Sequence, residues 1–126
     1  MESLKIYVAG PYTGDTIEQI EENVTKAMEV GLRIWKKGHF PYIPHLTTWP
    51  DILARELGIE MDWEDYMKWH APWVDACDSL FLLAESKGAL LELQRAVEAG
   101  KSIFRTLDEI PDVKHASTWA DRHVDD

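Results

Sequence analysis

Cysteine is nearly absent. Cys77 is the one thiol in 126 residues, so no internal disulfide framework can form and a zinc cluster lacks its usual ligands. No apolar run approaches the ~20 residues a membrane span needs, and the opening stretch MESLKIYVAG has no charged-then-apolar signal segment. Positive charge is scarce: 13 Lys and Arg stand against 23 Asp and Glu, a formal net charge of −10. Such a surface repels the phosphate backbone of nucleic acids and anionic membranes, so neither polymeric nucleic acid nor membrane is expected as a partner. A small anion held in a local pocket stays open, because a few backbone amides and one cation overcome the global field there. Repeats and low-complexity linkers are also missing. What remains is an ordinary globular composition, 45% hydrophobic and 29% charged. The length suits one compact domain over residues 1–126, with a cytoplasmic setting as the simplest expectation.

LKIYVAG (residues 4–10) is rich in β-branched and aromatic residues and nearly continuous in its apolar character, as in a central parallel strand covered on both faces. GPYTGD follows as a loop. A helix is predicted next, on the spacing of Ile17, Ile20, Val24, Ala27, Met28, Gly31, Leu32 and Trp35, closed by Lys36-Lys37-Gly38. HFPYIPHL, broken by Pro41 and Pro44, predicts a short or edge strand. PDILARELG reads as a short helix that belongs to a lid. DWEDYMKWHAPWVDAC reads as a helix capped by Asp62, with Pro72 either kinking it or starting another. SLFLLA (79–84) is the clearest buried strand. SKGALLELQRAVEAG is the following helix, packing through Leu90, Leu91, Leu93, Ala96 and Val97 and stopping at Gly100. SIFRTL is a further strand. The core spans about 4–107, and the acidic remainder, 108–126, is expected as a surface helix and a frayed tail. This alternation implies an α/β domain with a parallel sheet and helices on both faces.

In such folds ligands sit at the carboxyl ends of the strands, near the switch point of the strand order. There the loop carrying Gly10, Pro11 and Tyr12 should meet the loop AESKGA, which brings Ser86, Gly88 and Glu92 into the same neighbourhood. Ser86, Lys87 and Gly88 stand where a strand gives way to a helix. They are either an anion cradle of amides, hydroxyl and ammonium, or simply an N-cap and a tight packing point. Glu92, about one turn further on, is either a solvated charge or a carboxylate facing the cleft, able to attack an anomeric carbon. Tyr7 is either a core aromatic with its hydroxyl paired or the phenol that orients Glu92. His45 ends a strand segment and suits a pocket. His70 is either a partly buried structural histidine or a general acid, given an unperturbed pKa near neutrality. None of the five histidines falls in a paired ligand pattern, so no metal is expected. Trp63, Trp69 and Trp73, beside Tyr66 and Met67, form a stripe that packs in a core or interface, or stacks one ring on a nucleobase.

Taken in order, KIYVAGPYTG, ENVTKAMEVG, GHFPYIPHLT, DWEDYMKWHAPWVDACDSLFLL and SKGALLELQRAVEAGKSIF resemble the nucleoside 2-deoxyribosyltransferase superfamily, which includes the nucleotide N-glycoside hydrolases. The likeness runs over most of residues 4–107. It is nearest to a small phage and bacterial branch known as a domain of unknown function (DUF4406-like). The resemblance implies a flavodoxin-like or Rossmann-like three-layer fold with a mostly parallel five-stranded sheet, a homo-oligomer whose neighbouring subunits help to form the site, and no metal or organic cofactor. It implies that Glu92 is the nucleophile, that Tyr7 orients it, that Gly10 lies close to the substrate, and that Ser86 and Gly88 hold a 5′-phosphate. The family's usual aspartate before the W…CD segment is replaced here by His70. The implied reaction is cleavage of the N-glycosidic bond of a nucleoside 5′-monophosphate or nucleoside through a covalent glycosyl-glutamate, by hydrolysis or base exchange. The His70 departure leaves a catalytically silent nucleotide-binding module of the same fold as an alternative, and the tryptophan-rich segment leaves a partner-binding domain as another.

Overall fold

The computed structural model describes residues 2–123. Four strands, β1 (Lys5–Ala9), β2 (Phe40–Tyr42), β3 (Ser79–Leu82) and β4 (Ser102–Phe104), form one sheet in the order β2-β1-β3-β4. Every pairing is parallel. The expected fifth strand is not there among the described residues: after β4 the chain turns into a short 3₁₀ segment, Leu107–Glu109, and runs on in extended form without pairing to the sheet. The predicted alternation of strands and helices otherwise holds. α1 (Ile17–Lys36) links β1 to β2, α2 (Thr48–Leu57) and α3 (Trp63–Ala76) link β2 to β3, and α4 (Lys87–Glu98) links β3 to β4. β2, with Pro41 inside it, lies at the sheet edge as its prolines require.

Side-chain alternation along β1 divides the core in two. Ile6 and Val8 point to the face covered by α1, where they meet Ala27, Ile34, Phe81 and Ile110. Tyr7 and Ala9 point to the opposite face and pack with Val74 of α3, Leu80, Leu82, and Ala89 and Ala96 of α4. Helices therefore cover both faces; β3 is buried throughout and β1 from Ile6 to Ala9.

The inward faces of two helices differ from expectation. α1 buries Val24, Ala27, Gly31 and Ile34, whereas Ile17 and Leu32 are about 70% exposed (71% and 69%) and Trp35 is half exposed. Gly31 sets the stripe, because a Cβ there would lie 2.3 Å from Ile43 Cδ1. α4 buries Ala89, Glu92 and Ala96, while Leu90, Leu91 and Val97, expected in the core, are exposed. α3 starts at the predicted cap: Asp62 and Asp65 form a reciprocal capping box. The helix then passes through Pro72 as one element.

The C-terminal part also departs from expectation. No α-helix forms within 108–123, only a 3₁₀ turn at Trp119–Arg122; residues 124–126 of the expected tail lie outside the described residues. The segment instead lies as a strap across the end of α1. His39, fully buried, accepts at Nδ1 from Leu4 N–H (3.0 Å) and donates from Nε2 to the Pro111 carbonyl (2.7 Å). Val113 N–H donates to Lys37 O (2.8 Å), and the His115 ring packs on Trp35 at 3.9 Å between centroids. Gly38, at φ +99°, makes this possible: a Cβ there would fall 1.9 Å from the Val113 carbonyl oxygen. We therefore expect Gly38→Ala to lose about 2 kcal/mol through backbone strain and strap displacement. The loss is read in urea denaturation, together with faster proteolysis beyond residue 110. Unchanged stability would mean that the strap does not hold this geometry in solution.

Candidate active site

The strand order turns at β1. The chain leaves β1 toward β2 on one side and later returns to place β3 on the other, so the loops after β1 and β3 diverge and open a crevice at their carboxyl ends. A cavity of about 300 Å³ occupies it, at the lower end of small-molecule sites. Of the residues expected there, Gly10, Tyr12, His45, His70, Ser86, Lys87, Gly88 and Glu92 line it. Two do not. Tyr7 is fully buried in β1 behind Glu92, and Pro11 contributes through its carbonyl, which accepts a hydrogen bond from His45.

Glu92 stands on the buried stripe of α4, between Ala89 and Ala96, and is 8% exposed. Its Oε2 accepts from the Tyr7 hydroxyl, because Tyr7 is the β1 side chain that alternation directs toward α4. Burial lifts the Glu92 carboxyl to about 7, and the Tyr7 hydrogen bond partly opposes that rise. Burial first, then the Glu92 carboxylate, pushes the Tyr7 phenol far above its ordinary value, so it stays a donor. Tyr7 is itself stacked on Tyr42 (5.5 Å), and Tyr42 on Trp73 (5.3 Å, 13° between planes), so its ring has little freedom.

The other end of the cavity is the start of α4. The Ser86 hydroxyl oxygen accepts from Ala89 N–H at 3.1 Å, so the N-cap reading of Ser86 holds, and its hydroxyl proton remains available. The first-turn amides of Lys87 and Gly88 have no intrahelical acceptor, and the helix dipole places partial positive charge there. Lys87 Nζ rests 4.6 Å from the centre of the Trp63 ring. Gly88 is also a packing point, since a Cβ would come 3.3 Å from Met67 Sδ. Gly10 permits the loop after β1 to pass close to Leu83, 3.1 Å from where its Cβ would be. One helix thus presents donors at its first turn and a buried carboxylate little more than one turn below.

Burial changes the premise for His70. It is 7% exposed, and burial first, then His45, lowers its pKa to about 4. The resting form at neutral pH is therefore the uncharged imidazole rather than the half-protonated acid that an unperturbed value suggests. Burial likewise holds His45 neutral, against the opposing pull of the Gly10 and Pro11 carbonyls.

Sequence reasoning took α2 as part of a lid and singled out Trp63, Tyr66 and Met67, which line the cavity, but named no side chain of α2. Asp51 and Arg55 of α2 pair at 3.1 Å and line the cavity. Asp51 Oδ1 also accepts from the Tyr66 hydroxyl at 2.7 Å, and Tyr12 donates to Thr48 Oγ1 at 2.9 Å. The i,i+4 spacing of Asp51 and Arg55 was the available signal, but it also fits a solvated helix face. Among the described residues no group of three or more His, Cys, Asp or Glu gathers as a metal-ligand set, and no helix is long and apolar enough to cross a membrane.

Residues 4–105 match the family described as a domain of unknown function, DUF4406. No curated protein matches the chain. The chain belongs to the DUF4406 family.

The Glu92–Tyr7 pair makes a prediction with a definite sign. The folded-state pKa of Glu92, about 7, lies above its ordinary 4.5. Its contribution to stability is complete below about 4.5 and is lost as pH rises through about 7. Relative to Glu92→Gln, which cannot ionise, the wild type is expected to lose up to about 3 kcal/mol between pH 5 and pH 8. Tyr7→Phe removes the opposing hydrogen bond and raises the Glu92 pKa further, as read by carbon NMR of the side-chain carboxyl. Parallel stability curves for wild type and Glu92→Gln would contradict the buried pair.

Proposed function

We propose that the protein cleaves the N-glycosidic bond of a nucleoside 5′-monophosphate or nucleoside, with Glu92 as nucleophile. The observation that carries this reading is the arrangement on α4. A buried carboxylate, oriented by a phenol, lies just over one helical turn beneath a set of unpaired amides, a hydroxyl and an ammonium. The spacing suits a sugar phosphate: the anion meets the helix start while the anomeric carbon lies over the carboxylate. The DUF4406 match and the likeness of these residues to the nucleoside 2-deoxyribosyltransferases support the same reading. So does the strand order, which is that of a flavodoxin-like sheet ending one strand early.

In this mechanism a Glu92 oxygen bonds to C1′ while the C1′–N bond breaks and its electron pair leaves with the base. The departing base takes a proton from water or from the site. Tyr7 keeps its proton and holds the carboxylate in line. Water then attacks C1′, loses a proton, and releases Glu92 as a carboxylate; a second base in place of water gives exchange. Gly10 lets the substrate approach the backbone, and Tyr12 and His45 shape the wall beside it. The reading extends to a homo-oligomer, supported by the exposed Trp69, Trp73, Leu90 and Leu91 on the outer faces of α3 and α4.

A nucleotide-binding module without turnover is the second reading, and the neutral His70 favours it, since a charged donor for the leaving base is not at rest in the site. One experiment separates the two. Ribo- and deoxyribonucleosides and their 5′-monophosphates are incubated with the protein, and free base is measured by chromatography. The expected result is base release that falls roughly 10³-fold or more in Glu92→Gln. Because the nucleophile must be ionised, kcat/KM should rise with pH about tenfold per unit below 6 and level off above 8. Binding of a monophosphate with no release across the panel would move the assignment to the silent module.

A further inference from the structure

Two cations line the cavity, Arg55 and Lys87, against three carboxylates, Asp51, Asp62 and Glu92. Lys87 stands at the start of α4 with its Nζ over the Trp63 ring. Arg55 lies on α2, and the fold makes little use of it. Among the described residues its one hydrogen bond runs from Nη2 to Asp51 Oδ2 at 3.1 Å, and its side chain is 77% exposed. An i,i+4 pair of this kind contributes little to stability. A guanidinium has five N–H donors, so most of them are left for another acceptor. Asp51 is placed more firmly. Its side chain is 13% exposed, and its Oδ1 accepts from the Tyr66 hydroxyl of α3 at 2.7 Å. Held at one oxygen by α3, the carboxylate offers the other to Arg55 and keeps the guanidinium at the cavity wall. The first turns of α3 join this wall to the start of α4. Tyr66 reaches Asp51, while Trp63 Nε1 and Met67 Sδ lie 3.6 and 3.3 Å from where a Cβ on Gly88 would be.

We propose that Arg55 is a ligand-binding residue for an anionic group, engaging the phosphate of a bound nucleotide from α2 while the first-turn amides and Lys87 engage it from α4. The planar fork of a guanidinium matches two oxygens of a phosphate. Charge calls for it as well. With Glu92 ionised, an anion admitted on Lys87 alone enters a wall of three carboxylates, and Arg55 is the other cation on that wall. The tie runs across the cavity to an element with little hold of its own, since α2 buries only Ala54. α2 is therefore steadied by a ligand that carries phosphate and not by the parent nucleoside, so Arg55 selects for the phosphate rather than for the base. The nucleoside part of the ligand rests on the glycosidase reading above; the anion site does not, and it is tested separately.

Binding is measured by calorimetry in the Glu92→Gln background, where no bond is cleaved, with nucleoside 5′-monophosphates and their parent nucleosides. Adding Arg55→Gln should weaken the monophosphates roughly tenfold or more and leave the nucleosides within about twofold. Asp51→Asn separates ligand binding from a merely structural pair. It breaks the ion pair, keeps an oxygen for Tyr66 and leaves the guanidinium in place, so monophosphate affinity should hold or rise. Equal losses in Asp51→Asn and Arg55→Gln, or a monophosphate affinity unchanged in Arg55→Gln, overturn the proposal. Hydrogen exchange gives the second readout. Monophosphates should slow the amides of residues 48–57 when Arg55 is present and not in Arg55→Gln, and nucleosides should slow them in neither. Inorganic phosphate, compared with chloride at matched ionic strength, should slow the same amides of the wild type whether or not nucleotides bind. That slowing without any nucleotide binding refutes the nucleotide reading alone; its absence overturns the assignment of Arg55.

Discussion

Burying Glu92 is the demand around which the rest of the site is organised. A carboxylate on the inward stripe of a helix loses hydration that a hydrogen bond from Tyr7 restores only in part. The sheet has to supply that hydroxyl at one place, and the β1 register does so. Tyr7 pairs with Leu80 of β3 and Tyr42 of β2, so it stands mid-sheet on the α4 face. A slip of one residue would turn it to the α1 face and leave Glu92 unpartnered. Tyr42 and Trp73 then fix the ring from the other side. Small residues at Ala89 and Ala96 let α4 lie close to the sheet, which brings the carboxylate within reach of a side chain anchored in a strand. The same closeness accounts for the three exposed apolar residues of α4: the narrow inward face is filled by two alanines and the glutamate, so Leu90, Leu91 and Val97 have no place on it.

Much of the architecture was legible because it depends on local signals. Continuous apolar runs marked β1 and β3, prolines marked an edge strand at β2, and Asp62 and Ser86 marked helix starts where the caps are found. The likeness of the strand-to-helix segments put Glu92 beside Tyr7 before any geometry was known. What was not legible depends on contacts distant in the chain. The stripe of α1 was legible only in part: Val24, Ala27 and Gly31 face inward as expected, but Ile17, Leu32 and Trp35 are exposed, because apolar residues lie on more than one face and the close approach of Gly31 to Ile43 selects the inward one. The strap beyond residue 107 is held by the His39 side chain, Ser3 and the carbonyls of 37 and 39. It has no periodicity to detect, so a surface helix was the default expectation there. The fifth strand came from resemblance alone, and the residues after β4 are instead committed to covering the α1 face through Ile110.

Eight of the residues expected at the cavity line it, but the side chains of the α2 wall and the protonation of the pocket were not legible. A histidine near neutrality and a glutamate near 4.5 are what the residue types suggest; burial moves the first down to about 4 and the second up to about 7. The largest cause of both shifts is desolvation, which favours whichever form is uncharged. The two groups consequently exchange their expected states: near pH 7 the carboxyl is the one poised to gain or lose a proton, and the imidazole is not. Near pH 7 Glu92 is therefore the one of the two whose charge changes, while His70 stays uncharged.

The pocket's remaining wall explains how such desolvation coexists with access. α2 buries only Ala54 among its ten residues, and polar links tie it across the cavity: Tyr12 to Thr48, and Tyr66 to Asp51. An element with so little apolar burial is among the least costly in the domain to displace. The polar links also hold Asp51 and Arg55 against the cavity when α2 is in place. The floor formed by Tyr7, Glu92 and the central strands is rigid because it belongs to the core. The roof is separable because it does not. The rigid half of the site sets the pKa and orientation of Glu92, and the lightly packed α2 supplies the opposite wall of the cavity.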